Sequence, residues 1–120
     1  SENYLVGQPD LDDTIERLQA YQEAGADVLY APGVKNRDDL AAIVGSLDRP
    51  VNVVMGLQGA PLSLATLTEI GARPVRVGSA LSRVALGAFL RAAQEMRDHG
   101  TFEFLDQAVG YQDISSILAE

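Results

Sequence analysis

The side chains able to do chemistry in this chain are few. It has no cysteine and a single histidine. A thiolate nucleophile, a thiolate metal site and a disulfide framework are thereby excluded within it. His99 alone cannot build a multi-histidine metal centre. Flanked by Asp98 and Gly100, it reads as a helix C-terminal residue favoured by the helix dipole. Asp10, Asp12 and Asp13 lie close together, but the later glycine and glutamate of a calcium loop are missing. They read as the solvated start of a helix. Tyr4, Tyr21, Tyr30 and Tyr111 read as packing residues with a polar tip. Gly78-Ser79 leads into a helical pattern, where backbone N–H groups would hold a phosphate or carboxylate. The same serine would equally serve as the cap of its own helix. Gly56-Leu57-Gln58-Gly59 is a loop signal without a Gly-rich phosphate fingerprint.

The elements that would position these groups alternate along the chain. Val28-Leu29-Tyr30-Ala31, Val51-Asn52-Val53-Val54-Met55 and Val75-Arg76-Val77 are apolar runs preceded by turn residues and followed by Gly33, Gly56 and Gly78. Such runs read as strands, and their near-continuous apolarity suggests burial on both faces. Leu29, Val53 and Val77 are spaced 24 residues apart. Helical periodicity fills the gaps: Leu11, Ile15 and Leu18; then Leu40, Ile43, Val44 and Leu47; then Leu64, Leu67 and Ile70. Asp10 or Asp12, then Asn36 or Asp38, then Pro61 with Ser63 open these helices. A longer helix carries Leu81, Val84, Ala88 and Phe89 and ends near Gly100. Asn3-Tyr4-Leu5-Val6 reads as the end of a further strand. Phe102, Phe104 and Leu105 belong to a tail that closes in a short helix around Ile114, Ile117 and Leu118.

Alternating strands and helices imply an α/β fold with a parallel sheet and right-handed crossovers. Eight such units would approach the roughly 250 residues of a (β/α)8 TIM barrel. Three strands and a strand end are under half of that. Either the chain forms a small doubly wound sheet, or something outside it covers the open sheet face. If the chain is part of a barrel, the expected division is a half-barrel over residues 1–100 and a helical C-terminal tail over 101–120. In a barrel the chemistry sits at the C-terminal strand ends, and on that alternative Glu2, Asn3, Gly78 and Ser79 are the candidate substrate-binding residues. The net charge of −8 disfavours a nucleic-acid partner. No apolar run approaches the roughly 20 residues of a membrane span, and no leader pattern is visible, so a cytoplasmic protein is expected. The chain opens at Ser1, which reads as a processed or excised chain or an expression scar.

Three blocks carry a family resemblance. They are Ser1-Glu2-Asn3-Tyr4-Leu5-Val6-Gly7, then Asp10-Leu11-Asp12-Asp13-Thr14-Ile15, then the stretch from Ala20 through Glu23-Ala24-Gly25-Ala26-Asp27 to Ala31-Pro32-Gly33. Arg49-Pro50-Val51-Asn52-Val53, Val77-Gly78-Ser79-Ala80-Leu81 and Ala88-Phe89-Leu90-Arg91-Ala92-Ala93 extend it. The chain resembles the isocitrate lyase/phosphoenolpyruvate mutase superfamily, in its phosphonomutase or methylisocitrate-lyase-like subgroup. The resemblance implies the C-terminal half of a (β/α)8 barrel, from the end of the fifth strand through the eighth helix. It implies a lyase or mutase acting on C–C or P–C bonds of small carboxylates through an enolpyruvate-like intermediate. Mg2+ (or Mn2+) would be the cofactor, with its acidic ligands and the catalytic loop outside this chain. No catalytic or metal residue is expected here, and the chain alone should be inactive. Glu2 and Asn3 would border the substrate and order an arginine lying just before Ser1. Positions that carry polar substrate contacts in the family are the apolar Pro32 and Val54 here. The expected partner is the missing first half-barrel or a second copy, and a homo-oligomer is implied because the last helix is often exchanged between subunits. The rival readings are a self-assembling, non-catalytic interaction module and a phosphate-binding barrel fragment using Gly78-Ser79.

Overall fold

The computed structural model describes residues 1–56 and 62–119. Two compact units divide it, Ser1–Leu81 and Ser82–Glu120.

In the first unit three helices begin where polar caps stand before apolar-periodic runs. Helix α1 (Leu11–Glu23) starts at Asp10, whose carboxylate accepts from the Asp13 N–H at 3.0 Å. Asp12 and Asp13 lie in its first turn, at the positive end of the dipole. Strand β1 (Leu29–Tyr30) follows, then helix α2 (Arg37–Gly45), capped by Asn36 at 2.7 Å from the Asp39 N–H. Strand β2 spans Val51–Val54. Helix α3 (Leu64–Ile70) is capped by Ser63 and ends at Gly71, whose φ of 86° is left-handed backbone that favours glycine. Strand β3 is Val75–Arg76. Pro61 and the stretch Leu57-Gln58-Gly59 lie outside the described residues.

The three strands pair in parallel in the order β1-β2-β3, with Leu29 opposite Val51, Tyr30 opposite Asn52, Val53 opposite Val75 and Val54 opposite Arg76. The order is sequential, as in an arc of a barrel. Leu29, Val51 and Val53 are buried and join Leu18, Leu40, Ile43 and Leu67 in one core. Each fully buried leucine or isoleucine contributes about 2 kcal/mol. Thr14 is also fully buried, and its hydroxyl donates to the Asp10 carbonyl at 2.6 Å. The alternate strand positions, Tyr30, Asn52, Val54 and Arg76, lie on the other face of the sheet.

Residues 3–6, read above as the end of a strand, are turns instead, as is Gly7. The Leu5 and Val6 N–H groups both donate to the Glu2 carbonyl, at 2.9 and 3.1 Å, and the Gln8 N–H donates to the Asn3 carbonyl at 2.9 Å. These local bonds use the groups that a strand would offer to a neighbour. The ladder position beside β1 is held by Ser1, whose amino group donates to the Tyr30 carbonyl at 2.8 Å.

Helix α4 (Ala80–His99) runs into the second unit, with His99 as its last residue and Gly100 beyond it at φ 67°. A 3-10 turn (Glu103–Gln107) and helix α5 (Tyr111–Leu118) complete the tail. The Glu95 carboxylate ties the turn to its helix, accepting from the Thr101 hydroxyl at 2.8 Å and from the Glu103 and Phe104 N–H groups at 2.6 and 3.2 Å. No described residue of α4, the 3-10 turn or α5 is buried. Tyr111, read as a packing residue, is 93% exposed.

Candidate functional site

The sequence-predicted residues occupy two clusters in the first unit. One stands at the free edge of β1, the other at the turn from β3 into α4. In a parallel sheet each strand adds about 4.8 Å, so three strand spacings along the sheet separate them by roughly 14 Å.

The edge cluster is braced by hydrogen bonds. The Asn3 side-chain oxygen accepts from the Ser1 hydroxyl, and its amide nitrogen donates to the Asp13 carboxylate. Asp13 also receives Arg17 at 2.6 Å, one turn along α1. Arg17 holds the Asp13 carboxyl below its usual range; burial opposes this and Asn3 assists it. Asn3 is therefore committed to fastening the 3–7 turn onto α1. Tyr4 fastens the same turn to α2 through its hydroxyl, which donates to Asp39 at 3.0 Å. Burial pushes the Tyr4 phenol up to about 12, helped by the Asp39 hydrogen bond and by the charges of Asp39 and Asp10. Gly33 lets the β1–α2 loop approach: at φ 91° a Cβ there would stand 3.0 Å from Tyr4 Cβ and 3.1 Å from Leu5 Cδ2. Glu2 is exposed, and its carbonyl anchors the turn.

The second cluster is built on close backbone approach. Gly56 follows β2 at φ 127°, and a Cβ there would lie 2.7 Å from the Val77 carbonyl oxygen and 2.9 Å from Ala80 Cβ. The Ala80 N–H donates to that same Val77 carbonyl at 3.0 Å, closing the turn into α4. Gly78 has φ 52°, and a Cβ on it would meet Val54 Cγ1 at 3.6 Å. Gly78 and Ser79 are exposed, and the Ser79 side chain makes no hydrogen bond among the described residues. Pro32 is buried and Val54 is half-buried, so neither strand end offers a polar contact.

No group of three or more His, Asp or Glu side chains gathers closely enough to hold a metal ion among the described residues. The donor set of the described residues does not fit a divalent ion. No described helix is long and apolar enough to cross a membrane. Two features escaped the sequence reading. The Asp13–Arg17 brace had a signal, the i, i+4 spacing of opposite charges on a helix. Asn52 and Arg76 had one in the alternation Val51-Asn52-Val53 and Val75-Arg76-Val77, which sends them to the face away from the core.

Parallel strands alternating with helices, in sequential order and with loops gathered at the strand C-termini, match part of the TIM-barrel-like lyase/mutase fold. A protein from Burkholderia cenocepacia J2315, described as a candidate lyase/mutase, superimposes with a TM-score of 0.90 at 59% identity; the match covers 99% of this chain and 43% of that one. An oxaloacetate acetylhydrolase, solved with the inhibitor 3,3-difluorooxalacetate, matches with a TM-score of 0.68 at 28% identity over 87% of this chain and 36% of its own. The oxaloacetate decarboxylase of Rhodopseudomonas palustris (strain HaA2) is 40% identical over 91 residues, 73% of this chain and 30% of its own length. The phosphoenolpyruvate phosphomutase family profile matches residues 1–97, and the chain belongs to that family. It spans less than half the length of these relatives.

Proposed function

We propose that this chain is the C-terminal half-barrel of a Mg2+- or Mn2+-dependent lyase or mutase, acting on a C–C or P–C bond of a small carboxylate through an enolpyruvate-like intermediate. The observation that carries this reading is the family match over residues 1–97. The names of two relatives, an oxaloacetate decarboxylase and an oxaloacetate acetylhydrolase, support a small 2-oxo acid as substrate. Glu2, Asn3, Gly78 and Ser79 contribute pocket wall, with Asn3 and Tyr4 holding the Glu2 loop in place. Metal ligands and the general acid or base come from a preceding half-barrel, so the chain alone is inactive. Residues 1–100 form the half-barrel and 101–120 the tail, in a cytoplasmic enzyme that forms a homo-oligomer. The test is an assay of the pure 120-residue chain with oxaloacetate and millimolar Mg2+. No turnover above the metal-only rate is expected, and turnover would overturn the assignment of the chemistry to another segment.

A second reading, a self-assembling module without catalysis, draws on the second unit. Val84, Phe89, Leu90 and Ile117 are all at least half exposed, a large apolar surface for a soluble protein. Light scattering would show a dimer or larger species of this chain on that reading.

A further inference from the structure

We propose that Glu95 is the clasp of a releasable strap: its carboxylate holds residues 101–107 back along α4, and without it the tail swings away on Gly100 and opens the groove between them. This goes beyond the proposed reaction and does not depend on it.

The Glu95 carboxylate stands where its own helix gains nothing from it. It lies one turn before the end of α4, near the negative pole of the helix dipole, where cationic residues such as Arg97 and His99 are favoured. It is half-buried, and its bonds run to the segment beyond the helix. Oε1 accepts from the Thr101 hydroxyl at 2.8 Å and from the Glu103 N–H at 2.6 Å, and Oε2 accepts from the Phe104 N–H at 3.2 Å. Those two N–H groups are of the kind a helical turn leaves without a partner at its start. The turn's own cap position is Phe102, which makes no side-chain cap hydrogen bond. Glu95 therefore caps Glu103–Gln107 from a different helix. The chain between them passes through Gly100 at φ 67°, with nothing within 4 Å of the place a Cβ would take.

Burial does little to fix the strap. Of residues 101–107, Phe104 is half-buried and the others are exposed. The Phe104 ring lies 6.3 Å from that of Phe102, a contact within the strap itself. Between strap and helix runs a groove of about 480 Å³, lined by Ala88, Phe89, Ala92, Glu95, Phe104 and Ala108. Phe89 is still 67% exposed there, so apolar contact across the groove is incomplete. The attachment then falls to the bonds on Glu95, and hydrogen bonds to an ionised acceptor are among the stronger ones. A segment with few buried contacts opens locally at far less cost than a core does. Removing this one carboxylate turns the closed strap into an open one and leaves the core of the first unit as it was.

The experiment measures amide exchange by NMR in the full chain, for the wild type, Glu95→Ala and Glu95→Gln. The Glu103 and Phe104 N–H groups should be protected in the wild type. Glu95→Ala should speed their exchange roughly tenfold to a hundredfold, the worth of a hydrogen bond to a charged group. The Leu67 N–H, bonded to the Ser63 carbonyl at 3.0 Å in the core, should be unchanged. Glu95→Gln keeps one acceptor oxygen and should keep part of the protection. A nitroxide on Gln107→Cys, a single attachment point because the chain has no cysteine, reports where the strap lies. It should broaden the Ala88 and Ala92 amides, and the broadening should fade when Glu95→Ala is added. Unchanged exchange at Glu103 and Phe104 in Glu95→Ala overturns the proposal. Unchanged broadening does so too, because the strap would then stay closed without the carboxylate. Faster exchange that reaches Leu67 equally also overturns it, because Glu95 would then serve the stability of the whole chain.

Discussion

Replacing Gly56 with alanine tests whether the second cluster is held by backbone contact. The perturbation has two parts. At φ 127° a side chain strains the backbone, which costs about 1–3 kcal/mol. The new Cβ also lies 2.7 Å from the Val77 carbonyl oxygen and 2.9 Å from Ala80 Cβ. Neither is the end of a flexible side chain, so backbone must shift, at about 1–3 kcal/mol by analogy with overpacked cores. Gly25 separates the two parts, because it has φ 99° and nothing within 4 Å of its would-be Cβ. Gly25→Ala should lose only the conformational part, and Gly56→Ala both. With a urea m-value of about 1–3 kcal/mol per molar, the midpoint of Gly56→Ala should fall about 1 M below that of Gly25→Ala. Amide exchange gives a local readout. The Ala80 N–H, bonded to Val77 at 3.0 Å, should exchange faster in Gly56→Ala and stay unchanged in Gly25→Ala. Equal midpoints and equal Ala80 protection would refute the reasoning, since the turn into α4 would then yield freely to the extra methyl group.

Leu18 is fully buried at the centre of the core, so Leu18→Ala should destabilise by about 2–5 kcal/mol, read from urea unfolding at constant m-value. Tyr4 is predicted to be the alkaline sensor of the edge cluster. Its pKa is raised from the ordinary 10.0 to about 12 in the folded state, so its contribution to stability is complete below pH 10 and is lost as pH rises from there through about 12. A phenolate absorbance titration should contain a component near 12 that Tyr4→Phe removes, and its persistence in that variant would count against the Asp39 contact.

The order of elements was legible in the sequence because its signals are local. Asp10, Asn36 and Ser63 each accept from the N–H three residues on, and capping needs nothing beyond that residue type before an apolar-periodic run. Strand positions were legible for the same reason, although β1 and β3 prove shorter than their apolar runs. The turn at residues 3–7 was not, since Tyr4, Leu5 and Val6 have the composition of a strand. What bends the chain there is non-local: Asn3 meets Asp13 and Tyr4 meets Asp39, ten and 35 residues away. Sequence periodicity carries no record of such contacts. Gly56 was visible as a punctuating glycine, but its reason, the approach of Val77 and Ala80, required the fold.

The candidate site was legible only at its ends. Strand-end logic singles out Gly78 and Ser79 because it asks which residues follow a strand, while the family resemblance puts Glu2 and Asn3 at a strand end. That logic passes over residues inside the strands, and there the apolar runs were read as buried on both faces. Register divides those positions between the two faces. Val51 and Val53 serve the core, while Asn52 and Arg76, counted within the same runs, point to the opposite side. A strand of four residues alternating between buried and half-buried positions belongs to a sheet whose faces have different duties. One face is closed by helices of this chain and gains its stability from burial. The other carries the Asn52 side-chain oxygen, buried and without a hydrogen-bond partner among the described residues, and burying such a group in hydrocarbon costs free energy. That oxygen sets Asn52 apart from the valines that flank it, which serve the core.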